Sequence, residues 1–447
     1  MEMKIHKRAL LQYFTIYIML LLNQSNLFQI FIFGNTRVTT FIVAAELLYL
    51  IVKYRKEASY GILFTFVLLC FVVFARFMFG DIGIEYWYEM AEKILIVFIA
   101  ILVDPDHFLR RFIKTVAFLA GVSIIFWLFQ ATGNNLQSQF LPSYKTGGVS
   151  VSYDYYGYGA TNHMTCNGLL LCSYITNYAM RNVGIFTEPG IYQMVLISAL
   201  YILLYFESYC GFSDKQEKRY FIILTIALFT TQSTTGYLAY FVLLLCKVIQ
   251  NGKSADRKWK ERLLVILGII VIALAIDYSI RGEQSFLYTT LIIKLFDANK
   301  RISLVAEQST GQYRVATTLT AIQAVITHPM GLGLSGWNSF SGINNLAGAG
   351  GFPFRIGAII GIAPLVISLI WIFYPLKYAS NTTIEKLVFV FLYFNTTLAQ
   401  TSAFYPTLIL IPLIYYYVGK KYILNMKMYS CLNDKNMRND NRKRLRL

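Results

Sequence analysis

Two charged residues precede a long apolar segment near the middle of the chain. Arg181 and Glu188 are seven residues apart, and Pro189 and Gly190 lead from them into an apolar run. Proline suits the first turn of a helix, and a carboxylate there is favoured by the helix dipole, so one interpretation is a capped helix start. Ionisable groups at the edge of lipid are costly unless they pair or line a watery cavity, so we favour a functional site.

A second polar group follows more than a hundred residues later. Tyr313 and Arg314 precede an amphipathic stretch, which ends at His328 and Pro329 and continues as a glycine-rich run to Trp337. Fourteen residues separate Arg314 from His328, close to four helical turns, so one helix could present both on one side. The glycines predict a turn, whose N–H groups either cradle an anion or simply belong to an irregular loop.

The composition indicates that lipid is the main solvent of this chain. Of 447 residues, 56% are apolar and 14% are charged, and the mean hydropathy is +0.52. The net charge of +17 is concentrated at the N-terminus and in the tail 420–447, as expected for contact with anionic lipid, and no nucleic-acid partner is expected. The six cysteines form no CxxC pair, so neither a zinc site nor a disulfide framework is indicated.

The apolar segments predict an all-α, polytopic membrane helix bundle that forms a single domain over residues 1–447. A helix rises about 1.5 Å per residue, so roughly 20 apolar residues cross the hydrocarbon core. About twelve segments meet or approach that length, at residues 10–32, 36–53, 60–79, 85–103, 113–131, 188–206, 219–231, 234–250, 263–280, 356–374, 387–400 and 404–419.

The basic residues predict the sidedness of the bundle. With both termini cytoplasmic, 29 of the 40 Lys and Arg residues fall on the cytoplasmic side. A thirteenth span at 164–179 is rejected, because it would export the basic cluster 247–262. Two long external loops result, at 132–187 and 281–355, and long structured loops tend to carry function.

Three motifs occur in a fixed order along the chain. They are Arg181-x-x-Gly184-x-Phe186-x-Glu188-Pro189, then Ser233-Thr-Thr-Gly236-Tyr, then Arg314 followed by Pro329-x-Gly331-x-Gly333. On this arrangement of spans, the motifs resemble the O-antigen polymerase and O-antigen ligase superfamily over residues 180–375. Ligase members carry a His-Asn pair before the span that closes the large loop. The corresponding Asn344-Asn345-Leu346 has no histidine, which favours a polymerase.

The resemblance implies glycan transfer from an undecaprenyl diphosphate carrier on the outer face of the bacterial cytoplasmic membrane, with no metal, cofactor or nucleotide sugar. It places Arg181, Glu188 and Arg314 around an external cavity. Arginine binds phosphate oxygens bidentately, so Arg181, Arg314 and Arg355 are assigned to the diphosphate, although Arg355 could be only an interfacial anchor. Glu188 is the first candidate for the base that accepts the hydroxyl proton, and His328 is the second.

Aromatic residues are candidates for holding the glycan. We assign this role to Tyr156, Tyr313 and Trp337. For the tyrosine-rich stretch around Tyr156, a folded cap whose tyrosines bury one another is an equally good interpretation. The expected partners are a lipid-linked donor and acceptor and membrane lipids, and a chain-length regulator and a flippase are further candidates. Alternative functions are a ligase-type transferase, a lipid-linked oligosaccharide flippase, and more weakly an acyltransferase.

Other charged residues are given no catalytic role. Asp104-Pro-Asp106 mimics the metal-binding motif of sugar transferases, but it is expected to cap the helix that carries Arg110 and Arg111. Glu46, Glu92, Lys93 and Asp277 lie within apolar segments, where paired structural charges and a polar cavity both remain open.

Overall fold

A computed structural model describes most of the chain. It covers residues 2–32, 35–132, 141–146, 164–175, 180–250, 274–285, 310–342, 351–378, 383–398 and 404–417, with the single residues 268, 272, 288, 400 and 402. The described residues are mostly helical, which confirms the all-α prediction in its main feature. A small three-stranded sheet, which the sequence did not predict, accompanies the helices.

The N-terminal part of the chain forms six helices, which are joined by short turns. The first predicted span is interrupted, because the polar residues Asn23, Gln24 and Ser25 turn the chain and the Ser25 hydroxyl accepts a hydrogen bond from Phe28 N. Helix α4 ends at Gly80, whose φ of 74° closes the last turn. The helices are α1 Glu2–Leu21, α2 Asn26–Phe31, α3 Thr36–Tyr54, α4 Ser59–Phe79, α5 Glu85–Leu102 and α6 Phe108–Ala131.

Helix α5 lies at the centre of this part. It packs against α1, α3 and α4, and every residue from Met90 to Leu102 is buried. A helix that is buried on all sides needs apolar residues all round, and the C-terminal half of α5, residues 94–102, satisfies this requirement. Its first half carries four ionisable residues instead, which are described below.

The first predicted external loop contains the sheet. Strand β1, Ser143–Thr146, pairs antiparallel with β2, Met164–Asn167, and β2 pairs antiparallel with β3, Tyr174–Ile175. Residues 164–175 therefore do not form a membrane-spanning helix, which confirms that a thirteenth span is absent from this described segment. Cys166 and Cys172 are buried free thiols beside these strands.

The C-terminal part continues as helices. They are α7 Pro189–Tyr205, α8 Glu207–Cys210, α9 Asp214–Thr230, α10 Thr234–Gln250, α11 Thr310–Thr327, α12 Gly333–Gly342, α13 Phe354–Ile360, α14 Ile362–Phe373, α15 Thr383–Thr397 and α16 Pro406–Tyr417. The described part of the predicted second loop thus includes the α-helices α11 and α12. The predicted span 263–280 lies largely outside the described residues, of which 268, 272 and 274–280 are helical.

The predicted span 356–374 is broken in two. Gly361 has a φ of 103° and separates α13 from α14. The freed backbone groups pair with the turn after α11: Leu332 N donates to Ala358 O, and Ile362 N donates to Pro329 O, both at 2.9 Å. Such pairing satisfies the polar groups that a break exposes, which an apolar environment requires.

In the part of the chain that the structure describes, two helices, α4 with 21 residues and α6 with 24, are long and apolar enough to cross a membrane. Apolar side chains are exposed on the N-terminal helices, with Phe41 75% exposed on α3 and Phe77 86% exposed on α4, as is typical of surfaces that contact another apolar phase. Other predicted spans are shorter or, like α3 and α5, carry more than two charged residues. Apolar helices of 10–17 residues are Pro189–Tyr205, Thr234–Gln250, Ile362–Tyr378 and Pro406–Tyr417.

Candidate functional site

Glu188 stands at the start of α7, as the sequence predicts. It is the N-cap residue with extended backbone angles, and Pro189 occupies the first helical position. Its side chain makes no capping hydrogen bond to the helix, so a capping role does not explain it. The carboxylate therefore stands at the positive end of a buried apolar helix without being used as a cap.

The segment before Glu188 is held in place by Asn182 and Gly184. The Asn182 side-chain amide donates to Ser123 Oγ at 3.1 Å and to Thr230 Oγ1 at 2.9 Å, which fixes the segment to α6 and α9. Gly184 has a φ of 57°, and a Cβ there would lie 3.0 Å from the Tyr192 ring. The glycine of the first motif is thus needed for backbone geometry and close packing.

The turn between α1 and α2 supports the same segment from the other side. Asn26 N donates to Ile185 O, the Asn26 side chain donates to Phe186 O, and Thr187 N donates to Gln24 O. The Phe186 ring stacks on Tyr192, with ring centroids 5.7 Å apart. Contacts with three separate helices therefore fix the backbone on which Glu188 is carried.

Arg181 lies at the C-terminal end of α9. Its Nε donates to Thr231 O and one terminal nitrogen donates to Gln232 O, both at 3.0 Å. A cation at this end of a helix is stabilised by the helix dipole. Two of the five guanidinium N–H groups make these bonds, so the side chain is fixed while its charge still acts on its surroundings.

The second motif lies beside the first. The charge of Arg181 acts on Tyr237, which belongs to the Ser233–Tyr237 motif at the start of α10. At Gly236, a Cβ would approach Gln193 of α7 to 3.0 Å, so the glycine allows α7 and α10 to pack closely. The first two motifs thus form one structural unit.

Arg314, in the first turns of α11, joins this unit although it is more than a hundred residues away in sequence. Burial raises the pKa of the Glu188 carboxyl above its usual value, and the positive charges of Arg314 and Arg181 act in the opposite direction. We call Arg181, Glu188 and Arg314 the α7 cluster. The charges of both arginines act on Glu188, and the net charge of the cluster is positive when Glu188 is ionised.

A tight backbone junction surrounds the α7 cluster. A Cβ at Gly190 would lie 2.3 Å from Nε2 of Gln400, which is 3% exposed. Gly351 N donates to Leu398 O, and a Cβ at Gly351 would lie 3.3 Å from Thr317 O of α11. Leu398 and Gln400 therefore lie between the start of α7 and the first half of α11, which brings Arg314 towards Glu188.

His328 lies apart from the α7 cluster, contrary to its assignment as the second candidate base. It follows the last residue of α11, fourteen residues after Arg314, which corresponds to about 21 Å along the helix. It is exposed, bonds Thr327 Oγ1 through Nδ1 at 2.9 Å, and meets the Phe340 ring edge to face. One helix does carry both residues, but a proton acceptor must be within hydrogen-bond reach of its donor.

The glycine-rich turn after His328 is a packing junction. A Cβ at Gly331 would lie 2.6 Å from Ile359 O and 2.8 Å from Gly361 N. The N–H of Gly331 donates to His328 O, and Ser335 N donates to the Asp81 carboxylate at 2.5 Å. Burial opposes ionisation of Asp81, but backbone hydrogen bonds from Ser335 and Leu334 outweigh it and lower its pKa. These N–H groups bond protein acceptors, so the anion-cradle interpretation is wrong for them.

The structure describes the three residues assigned to glycan binding to different extents. Trp337 of α12 is 0% exposed, so its ring faces are packed within the protein, which contradicts a role as a platform for a sugar. Tyr313 lies in the first turn of α11, and its side chain is outside the described part of the structure. Tyr156 lies outside the described residues.

Arg355 faces a different set of charges. It lies in α13, is 1% exposed, and its guanidinium carbon is 5.4 Å from the centre of the Phe352 ring. Its charge acts on Glu89 of α5, whereas the charges that act on Glu188 are those of Arg314 and Arg181. The structure therefore separates Arg355 from the α7 cluster, contrary to its assignment as a diphosphate ligand, and its burial contradicts the alternative of an interfacial anchor.

Asp104 and Asp277, two other charged residues considered in the sequence, are paired. Asp104 does not cap α6, since the N-cap His107 has no side-chain cap bond; its carboxylate pairs with Arg111 at 2.6 Å and with His107 at 3.1 Å. Asp277 pairs with Arg281 at 3.4 Å. Both observations agree with a structural role outside any active site.

No protein-family model, curated protein or solved structure matches this chain. The site is therefore defined by its own geometry. Sequence reasoning missed Asn182, Gln24 and Gln400, which hold the α7 cluster in place. Asn182 lies within the first motif and was available as a signal, whereas Gln24 and Gln400 become neighbours of the site only through folding.

Proposed function

We propose that this chain joins oligosaccharides carried on a lipid diphosphate, as a polymerase of surface polysaccharide in a bacterial cytoplasmic membrane. The observation that carries the proposal is the meeting of Arg181, Glu188 and Arg314 at the start of α7. Two arginines and one carboxylate are the groups that this reaction needs. The twelve-span topology, with the α7 cluster on the outer face, is part of the proposal.

The arginines suit the leaving group. When an acceptor hydroxyl attacks the anomeric carbon, the C–O bond to the diphosphate breaks and negative charge develops on the departing phosphate oxygen. Guanidinium groups that are fixed before the reaction stabilise this charge without reorganising. Arg181 is fixed by two carbonyl oxygens, and the first half of α11, which carries Arg314, packs beside Gly351.

Glu188 suits the base. The acceptor hydroxyl loses its proton as the new glycosidic bond forms, and an ionised carboxylate can accept it. Burial raises the pKa of Glu188 toward the working pH, which makes it a stronger proton acceptor, while Arg314 and Arg181 favour its ionised form. Attack opposite the diphosphate inverts the anomeric centre.

The surroundings suit a lipid-linked substrate. The α7 cluster lies at the end of an apolar helix, and two other helices are long and apolar enough to cross a membrane. A substrate with an isoprenoid tail would keep the tail in lipid and bring its diphosphate to the helix end. Phosphate binding by arginine next to a helix N-terminus follows ordinary anion recognition.

Reconstitution in liposomes tests this function. The full chain is supplied with a lipid-linked oligosaccharide, and the products are separated by length. A ladder of longer chains supports the polymerase, and its loss in Arg314→Ala with normal membrane insertion supports the site. Transfer of the sugar across the bilayer without elongation would instead indicate a flippase, and a single transfer to lipid A would indicate a ligase.

A further inference from the structure

Five ionisable residues lie inside the bundle, away from the α7 cluster. We call them the α5 array: Glu89, Glu92 and Lys93 of α5, Glu46 of α3 and Arg355 of α13. The exposed fractions are 0% for Glu92, 4% for Lys93, 7% for Glu46 and 1% for Arg355, while Glu89 is half-buried. The proposed reaction uses none of these groups.

The array is continuous. The charges that act on Glu92 belong to Lys93 and Glu89, the charge that acts on Glu46 belongs to Glu92, and Glu89 also faces Glu85 and Arg355. Lys93 Nζ also lies 5.8 Å from the centre of the Phe28 ring. Helices α1 and α4 also pack against α5, but the charges acting on the two carboxylates come from the residues just named.

Both carboxylates at the buried end have oxygens without partners. Among the described residues, neither oxygen of Glu92 has a hydrogen-bond partner, and the same holds for Oε2 of Glu46. An ionised carboxylate in such a place is strongly disfavoured unless it is paired and hydrogen-bonded. Lys93 can compensate one neighbouring carboxylate, but it cannot neutralise two.

The α5 array contains more acidic groups than basic groups. Three carboxylates face two permanent cations, so the array has one negative charge too many when every group is ionised. We infer that Glu46 and Glu92 share one bound proton at neutral pH and form a proton-binding site inside the bundle. The proton comes from water, and one O–H bond forms on a carboxylate oxygen. With this proton the array is neutral.

A proton fits the site better than a metal ion. A hard cation takes about six or more oxygen ligands, whereas this place offers two carboxylates. Within the described residues, no group of three or more His, Cys, Asp or Glu side chains could hold a metal. A proton needs only one oxygen, and the neutral carboxyl group that it forms costs far less to bury than a carboxylate.

The array provides a path for exchange with solution. Glu85, Glu89 and Glu92 are spaced at i, i+4 and i+7, which places them on one face of α5. Their exposure falls along this face, from exposed Glu85 through half-buried Glu89 to fully buried Glu92. The bound proton is therefore expected to equilibrate with the solution at the N-terminal end of α5.

Infrared spectroscopy of the purified full chain tests the inference. The parent at pH 7 should show the carbonyl stretch of a protonated carboxyl group, and this band should shift to lower frequency when the proton exchanges for deuterium. Either Glu46→Gln or Glu92→Gln should abolish this band, because the remaining two carboxylates then match two cations. Glu85→Gln, on the same helix but exposed, is the control and should retain it.

Two further variants distinguish a change in charge count from loss of the fold, because they predict a gain and a restoration of the same band. Lys93→Met removes one cation, so the band should about double, and Lys93→Met with Glu92→Gln should return it to the parent intensity. Absence of the band in the parent, or its persistence in both single Gln variants, would overturn the inference. Removal of the band by sodium ions would indicate a cation site and would also overturn it. The outcome does not depend on glycan transfer.

Discussion

The two ends of α11 carry equally conspicuous residues, yet the structure uses them differently. At the N-terminal end, Arg314 is brought within electrostatic reach of Glu188, on which Arg181 also acts. At the C-terminal end, His328 is exposed and the glycines after it pack against the break between α13 and α14. Chemistry is thus expected at one end of the helix and backbone packing at the other.

The largest effect is expected at the N-terminal end. Arg314→Ala should reduce glycan elongation by about 10²–10³-fold or more, because a fixed cation that stabilises developing charge is removed. Arg314→Lys should retain part of the activity, since the charge remains but the bidentate fork is lost. Elongation in liposomes, normalised to inserted protein, measures both variants. Normal ladders from Arg314→Ala would remove Arg314 from the site.

Glu188→Gln tests the base itself. The amide has nearly the same shape but cannot accept the hydroxyl proton, so the elongation rate should fall by about 10²-fold or more. Binding of the lipid-linked substrate should be retained, which separates a chemical role from a structural one. Full activity in Glu188→Gln would show that another group accepts the proton.

Gly331→Ala tests the packing role of the other end. An L-residue at its φ of 93° costs about 1–3 kcal/mol, and the new Cβ would meet Ile359 O at 2.6 Å. The thermal midpoint should fall, whereas Gly342→Ala, where a Cβ meets nothing within 4 Å, should leave it nearly unchanged. An unaltered midpoint in Gly331→Ala, with intact substrate binding, would refute the packing interpretation.

The pH profile refines the comparison. Glu188 must be ionised to act as a base, so activity should fall as the pH drops through its raised pKa. Arg181→Gln removes a charge that lowers this pKa, so the acid limb of kcat/KM should move to higher pH. Arg181→Lys keeps the charge and should leave the limb in place. The same acid limb in parent and Arg181→Gln would exclude electrostatic coupling between Arg181 and Glu188.

The smallest effect is expected at His328. His328→Ala should change the elongation rate by less than about twofold. The side chain is exposed, and the hydrogen bond described for it joins the neighbouring Thr327. The rate should be measured across the pH range in which histidine titrates. A loss comparable to that of Glu188→Gln would return His328 to the list of candidate bases.

The sequence predicted the local part of this arrangement well. Pro189 and Glu188 marked the start of α7, and the hydropathy pattern located α4 and α6, since short-range preferences decide helix starts and apolar length. The assignments of Arg355 and Trp337 failed because residue type does not reveal which neighbours cover a side chain after folding. His328 failed for a related reason: a shared helix face says nothing about a distance of about 21 Å along the axis.

The long-range contacts of the site also escaped sequence reasoning. Gln24 and Gln400 are separated from Glu188 by more than 150 residues in either direction, so no local pattern marks them. Neighbouring residues that bond each other, such as Asn182 and Gly184, can be recognised in the sequence. Partners that come from distant helices can be recognised only in the folded structure.

The contacts of α16 have a consequence for biosynthesis. Thr407 bonds the side chain of Asn23, and Tyr405 bonds that of Gln24, whose backbone carbonyl holds Thr187 beside Glu188. The ribosome synthesises residues 23–24 and residues 405–407, which form these contacts, nearly 400 codons apart. The segment that carries Glu188 therefore lacks part of its support during synthesis, until α16 has docked against the turn between α1 and α2.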